Sequence, residues 1–145
     1  MLEAYSILKN GNHKLSEHFK VREFFCRDGS DPVFIDTELV EILEKIRVHF
    51  DKPVTITSAY RTAAYNTTVA KAAKYSQHLY GKAADIQVQG ISVEQVYAYA
   101  DKLLEGSTSV TRTSTPAKRA WWWTGTTSGR SPAARPWCIT ASSAT

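Results

Sequence analysis

The amino-acid sequence changes character after Gly106, and this break limits which part of the chain can build a hydrophobic core. Of the 39 residues from 107 to 145, 16 are Ser or Thr, and none is Leu, Phe, Asp or Glu. Neither helical nor strand periodicity persists there, so we expect no packed core from this segment. We predict one domain over residues 1–106 and an irregular tail over 107–145, which is either disordered or the product of a shifted reading frame.

The formal charge of +4 is unevenly distributed along the chain. Residues 1–106 carry 13 Lys+Arg and 14 Asp+Glu, a net charge of −1, whereas the tail contributes +5. A nucleic-acid-binding domain places basic residues on its folded face, so we predict no nucleic-acid partner. The run Trp121–Trp123 would suit base stacking or a membrane surface, but an out-of-frame or disordered tail is the favoured interpretation.

We expect neither a membrane-targeting segment nor disulfide bonds from this sequence. The start of the chain lacks a basic segment followed by a long apolar stretch, and no window approaches 18 consecutive apolar residues, so we see neither a signal peptide nor a membrane span. Cys26 and Cys138 lie on either side of the composition break. We therefore expect two free thiols and no disulfide framework.

Periodicity over residues 1–106 predicts an α+β domain. Apolar residues recur at helical or alternating spacing in five segments: a helix over 37–50 with Asp36 as N-cap, a strand over 54–57, a helix over 63–73, a strand over 84–89 and a helix ending near Gly106. Ser92 and Gln95 form a capping box at the start of the last helix.

The segment from Ser76 to Ile86 brings a histidine and a carboxylate to a glycine turn and the strand beyond it. Asp85 lies on the strand face opposite Ala84, Ile86 and Val88, where its carboxylate needs water, a donor or a metal. Imidazole and carboxylate both bind zinc, and a catalytic zinc usually takes three protein ligands and a water. By spacing alone, a hydrogen-bonded surface pair is the commoner outcome for such residues.

Three blocks of sequence, in this order, resemble the M15 zinc peptidases, which include D-Ala-D-Ala carboxypeptidases and the endolysin peptidases of phages. They are Leu15–Phe24, the segment Thr57–Thr62 followed by Tyr65-Asn66, and the signature Ser-x-His-x-x-Gly-x-Ala-x-Asp-Ile that ends at Ile86. The resemblance spans residues 12 to 105 and implies a Hedgehog/DD-peptidase-like zinc fold. In that fold helices flank a small antiparallel sheet, and here the C-terminal part would be incomplete.

The resemblance also implies roles for individual residues. His78 and Asp85 would be zinc ligands, and Arg61 would act in catalysis by engaging the substrate carboxylate or the oxyanion. Ser76 would line the site as a hydrogen-bonding partner for substrate. Without the resemblance, an ion pair or a solvated loop position is as good an interpretation of Arg61. His13, His18 and His49 lie outside the signature and are expected to be surface or structural residues.

The family pattern requires a later His-x-Asp or Glu-x-x-His segment, which supplies the third ligand and the general base. This chain departs from it, because its last histidine is His78, its last aspartate is Asp101 and its last glutamate is Glu105. Loss of the closing strand should also leave a sheet edge unpaired.

The resulting prediction is a zinc-dependent peptidoglycan peptidase, either a D-Ala-D-Ala carboxypeptidase or a related stem-peptide hydrolase, whose activity is impaired in this chain. The alternative is a non-catalytic remnant that binds cell-wall peptide or metal weakly. We expect Zn²⁺ as cofactor, the peptidoglycan stem peptide as partner and a monomer. The place of action would be the bacterial cell wall, reached by a cellular enzyme or by a phage lysin made in the cytoplasm.

Overall fold

The computed structural model describes residues 1–69, 72, 74–105 and 138–141. Within these residues the chain is α+β, as predicted. The strands are β1 Leu2–Tyr5, β2 Val33–Asp36, β3 Val54–Ser58, β4 Ala83–Val88 and β5 Cys138–Ala141. The α-helices are α1 Ile7–Asn10, α2 Thr37–Phe50, α3 Ala63–Thr68 and α4 Val93–Glu105, and two 3₁₀ turns cover Val21–Phe24 and Gln77–Tyr80.

The described strands form two small sheets. In one, β1 pairs with β2 in antiparallel orientation. In the other, β4 is central, antiparallel to β3 and parallel to β5. The expected antiparallel pairing is therefore confirmed for β3 with β4. The pair of β1 with β2 is also antiparallel but was not predicted, and the parallel pairing of β5 with β4 departs from the expected antiparallel sheet.

Strand β5 departs from our expectation that the tail holds no strand and that a sheet edge stays unpaired. Cys138–Ala141 pair along Ala83–Ile86 and cover that edge of β4. The sequence Cys-Ile-Thr-Ala does not alternate apolar with polar residues, so its pattern does not predict this strand. The other tail residues, on which the frame-shift hypothesis depends, lie outside the described residues, and the boundary at residue 106 stays a prediction.

Helix α2 forms the centre of the core, and its limits match the prediction. The Asp36 side chain caps the helix by accepting a hydrogen bond from the Glu38 amide at 3.0 Å. The apolar positions at helical spacing are all buried: Leu39, Ile42, Leu43 and Ile46. This face packs against β4 and α4, so the helix supports the strand that carries Asp85.

Strand β4 also follows the predicted alternation. Ala84, Ile86 and Val88 are buried, whereas Asp85 and Gln87 between them are only partly buried. The period of two places Asp85 on the face of the strand away from the core. The alternation therefore places a partly exposed carboxylate on a strand whose other face is buried in the core.

Helix α3 is shorter than predicted, since it ends at Thr68 and Val69 is already extended. The hydroxyls of Thr67 and Thr68 donate to carbonyls three residues back, at 2.7 Å each. Such side-chain bonds compete with the helix, and β-branched residues weaken it further. Asn66 is the buried residue of this helix, whereas Tyr65 and Val69 are partly exposed.

No helix in the described part of the chain is both long and apolar enough to cross a membrane.

Candidate metal centre

His78 lies in the 3₁₀ turn Gln77–Tyr80, with a defined start and end. The Ser76 hydroxyl oxygen accepts from the His78 amide at 3.4 Å, and Gly81 closes the turn in the left-handed region at φ +65°. The imidazole Nδ1 lies 2.6 Å from the Ala59 carbonyl oxygen. Because a carbonyl only accepts, Nδ1 carries the proton, and in the neutral ring Nε2 keeps its lone pair for a ligand.

Asp85 faces this nitrogen from strand β4. Its Oδ1 lies 3.5 Å from His78 Nε2. The Asp85 side chain is 26% exposed and the His78 side chain is 8% exposed. Two ligands on one tetrahedral zinc ion, each about 2.0–2.2 Å from it, lie about 3.3–3.6 Å apart. The tautomer of His78 and the separation of these two atoms therefore fit the two zinc ligands that the sequence predicts.

Arg61 completes the cluster from the loop after β3. Its Nη2 donates to Asp85 Oδ2 at 3.0 Å, its Nε donates to Ser58 Oγ at 3.1 Å, and its backbone amide donates to the His78 carbonyl at 3.0 Å. The structure thus brings His78, Asp85 and Arg61 together. The contact that Arg61 makes here is the ion pair, and engagement of substrate by the same side chain stays a prediction.

Ser76 contacts the site through the turn of His78. Its hydroxyl oxygen accepts from the His78 amide, as a cap does. This bond uses the oxygen as an acceptor and leaves the hydroxyl proton available. The predicted role of Ser76 toward substrate is thus compatible with its place, and stays a prediction.

A third ligand for the His78 and Asp85 pair is not found among the described residues. Among the described residues, one group of three His, Cys, Asp or Glu side chains has its possible metal-binding atoms within 4.8 Å of one another. This group is Glu17, His18 and Glu44. Glu44 in this group already accepts from the Ser16 hydroxyl and the His18 amide, at 2.6 and 3.3 Å. His18 also hydrogen-bonds Glu44 through Nδ1, and its expected surface or structural role stays a prediction.

The residues beside Arg61 form a compact polar network. The Asp28 carboxylate accepts from the Thr62 hydroxyl, and this bond, followed by one from the Cys26 thiol, holds the pKa of Asp28 well below its usual range. Burial raises the pKa of Tyr60, and the negative charge of the Asp28 carboxylate raises it further. Cys26 is a free, buried thiol, as predicted. The network fixes the segment that follows Arg61.

Two contributors to the site were missed in the sequence. The Ala59 carbonyl orients His78, and the Ser58 hydroxyl binds Arg61. A backbone carbonyl has no sequence signature, and Ser58 is one of many serines. A cavity of about 750 Å³ lies elsewhere, lined by residues of β1, α2 and α4 that include Tyr5, Val40 and Tyr99, and none of His78, Asp85 and Arg61 lines it.

Comparison with known proteins identifies the family of this chain. A search of curated proteins and a search of solved structures each found no match. The family model described as Peptidase M15 matches residues 17–114, which is more than half of the chain and contains His78, Asp85, Arg61 and Ser76. The chain therefore belongs to the peptidase M15 family.

Proposed function

We propose that this chain derives from a zinc-dependent peptidoglycan peptidase, a D-Ala-D-Ala carboxypeptidase or related stem-peptide hydrolase with the Hedgehog/DD-peptidase-like fold, and that its hydrolytic activity is impaired. The observation that carries the proposal is the 3.5 Å separation of His78 Nε2 and Asp85 Oδ1, within a segment that matches the family. These two atoms would hold zinc, which supplies a Lewis acid for water activation and carbonyl polarisation when bound.

Arg61 would bind the anionic end of the substrate. A guanidinium has five N–H donors, and the contacts to Ser58 and Asp85 use Nε and Nη2. Neither contact uses Nη1, which remains for a substrate carboxylate or for the oxyanion that develops during hydrolysis. Ser76, one residue outside the turn of His78, would donate its hydroxyl proton to the same peptide.

Impaired hydrolysis follows from the groups that the chain does not contain. No histidine follows His78, and no carboxylate follows Glu105, so the late segment with the third ligand and the general base is absent. A general base contributes about 10²–10⁴-fold to the rate of such reactions. This absence favours a second candidate, a non-catalytic protein that binds cell-wall peptide or metal.

Zinc titration of the purified chain by calorimetry tests the proposal. We expect one equivalent to bind, and His78→Ala to abolish binding. His13→Ala is the matched control, because His13 is an exposed histidine outside the cluster, and it should bind zinc like the wild type. Zinc binding that is equal in all three proteins, or absent from the wild type, would contradict the assignment of His78.

Release of D-alanine from a stem pentapeptide, and cleavage of cross-linked peptidoglycan, separate the two candidates. Slow zinc-dependent release that His78→Ala abolishes supports an impaired peptidase. Zinc and peptide binding with no release supports the non-catalytic protein. Sequencing of the encoding DNA across residues 104–145 adds an independent test, because a His-x-Asp segment in another frame would identify the lost part of the site.

A further inference from the structure

A bulge in strand β3 decides which side chain faces Asp85. Ile56 pairs with Ile86, but Ser58 pairs with Asp85, so Thr57 is an extra residue between them. In a regular strand Ser58 would share the face of Ile56, two residues earlier. The extra residue moves Ser58 to the face of Asp85, because directly paired residues project to the same side of a sheet.

Ser58 uses this position to hold Arg61. The Ser58 hydroxyl oxygen accepts from Arg61 Nε at 3.1 Å, and Asp85 Oδ2 accepts from Nη2 at 3.0 Å. Two contacts on a planar guanidinium fix the direction of its plane, which a single contact does not. The Arg61 side chain is 12% exposed, so bulk water competes little for these bonds.

The held arginine determines how Asp85 presents its carboxylate. With Oδ2 engaged by Arg61, Oδ1 is the oxygen that faces His78 Nε2, at 3.5 Å. The end of β3 therefore controls both candidate ligand atoms: the Ala59 carbonyl orients the imidazole, and Ser58 orients the carboxylate through Arg61. Residues that hydrogen-bond the ligands of a metal, without contacting the metal themselves, orient those ligands and tune the affinity for the metal.

We infer that Ser58 is a positioning residue of the metal centre, which holds Arg61 so that Asp85 offers a single oxygen to the ion bound by His78. The inference rests on the proposed function, since it concerns zinc bound at this site. It also assigns Arg61 a positioning role toward Asp85, in addition to the contact with substrate proposed above.

Zinc affinity of Ser58 variants is the first test. Loss of an outer partner typically lowers metal affinity about 10–100-fold, so Ser58→Ala should bind zinc at least about tenfold more weakly than the wild type. Ser58→Thr keeps the hydroxyl and should restore most of the affinity. Thr55→Ala is the matched control, because Thr55 is an exposed hydroxyl residue on the same strand, and it should bind zinc like the wild type.

A second measurement reports the position of Arg61 without metal. The Nε–H signal of Arg61, identified by its loss in Arg61→Lys, should exchange slowly with water in the wild type and in Ser58→Thr, and rapidly in Ser58→Ala. A general loss of structure would change the exchange of core amides as well, which separates it from a local effect.

The outcomes distinguish this inference from the proposed function. Wild-type zinc affinity in Ser58→Ala, or unchanged Nε–H exchange, would overturn the positioning role while zinc binding by His78 still stands. If the wild type binds no zinc in a His78-dependent way, the proposed function fails and the role of Ser58 toward metal fails with it. The exchange data would then still decide whether Ser58 holds Arg61.

Discussion

Replacing Gly81 by alanine tests the close contact between strand β2 and the turn that carries His78. Gly81 closes this turn at φ +65°, and its carbonyl accepts from the Asp36 amide at 3.0 Å. A Cβ atom added to Gly81 would lie 2.4 Å from the carbonyl oxygen of Phe34. Since the Phe34 oxygen belongs to the backbone and cannot rotate away as a side chain can, either β2 or the turn must move.

The expected loss in the free energy of unfolding has two parts, backbone strain and overpacking, and a comparison with Gly90→Ala separates them. Gly90 also has a positive φ, +70°, but nothing lies within 4 Å of an added Cβ, so Gly90→Ala should cost only the left-handed strain, about 1–2 kcal/mol. Gly81→Ala adds the overpacking against β2, about 1–3 kcal/mol. The lower entropy of the unfolded chain offsets about 0.4–1 kcal/mol equally in both variants, so it cancels in their comparison.

Urea unfolding followed by far-ultraviolet circular dichroism measures both free energies of unfolding. We expect Gly81→Ala to be less stable than Gly90→Ala by about 1–3 kcal/mol, and to bind zinc more weakly because His78 shifts with the turn. Equal losses of stability in the two variants would refute the argument that β2 packs tightly on this turn.

Two further predictions concern the packing of the core and the loss of folding stability at low pH. Leu43→Ala removes a fully buried side chain of α2 and should cost about 2–5 kcal/mol in urea unfolding, whereas Leu8→Ala, at a residue that is 88% exposed, should cost less than about 0.5 kcal/mol. Burial raises the pKa of Glu44, but hydrogen bonds from Ser16 and His18 outweigh it and leave that pKa below its ordinary value. Ionised Glu44 therefore stabilises the fold above the pH at which the unfolded carboxyl titrates, and this stability is lost as pH falls through the folded pKa. Glu44→Gln should make the fall in urea midpoint below about pH 4.3 shallower, and an unchanged pH profile would contradict the assigned bonds.

Local periodicity predicted the elements that carry much of the site. Helix α2 and strand β4 match their patterns, because each buries one face and the pattern of apolar residues reports that burial. The position of Asp85 on the outer face of β4 follows from the same alternation. Periodicity failed at the end of α3, where hydroxyls bond to the backbone, and at β5, whose residues do not alternate apolar with polar.

The sequence by itself determined the family and the α+β class, and it predicted the residues of the candidate site, because the motifs and the burial patterns are local properties of the chain. The tertiary structure alone decided how those residues are oriented. The bulge that brings Ser58 to Asp85, the Ala59 carbonyl at His78 and the pairing of Arg61 with Asp85 join residues that are 19 to 27 positions apart. Such contacts depend on strand register and on backbone groups common to every residue, and neither leaves a signature in a single sequence.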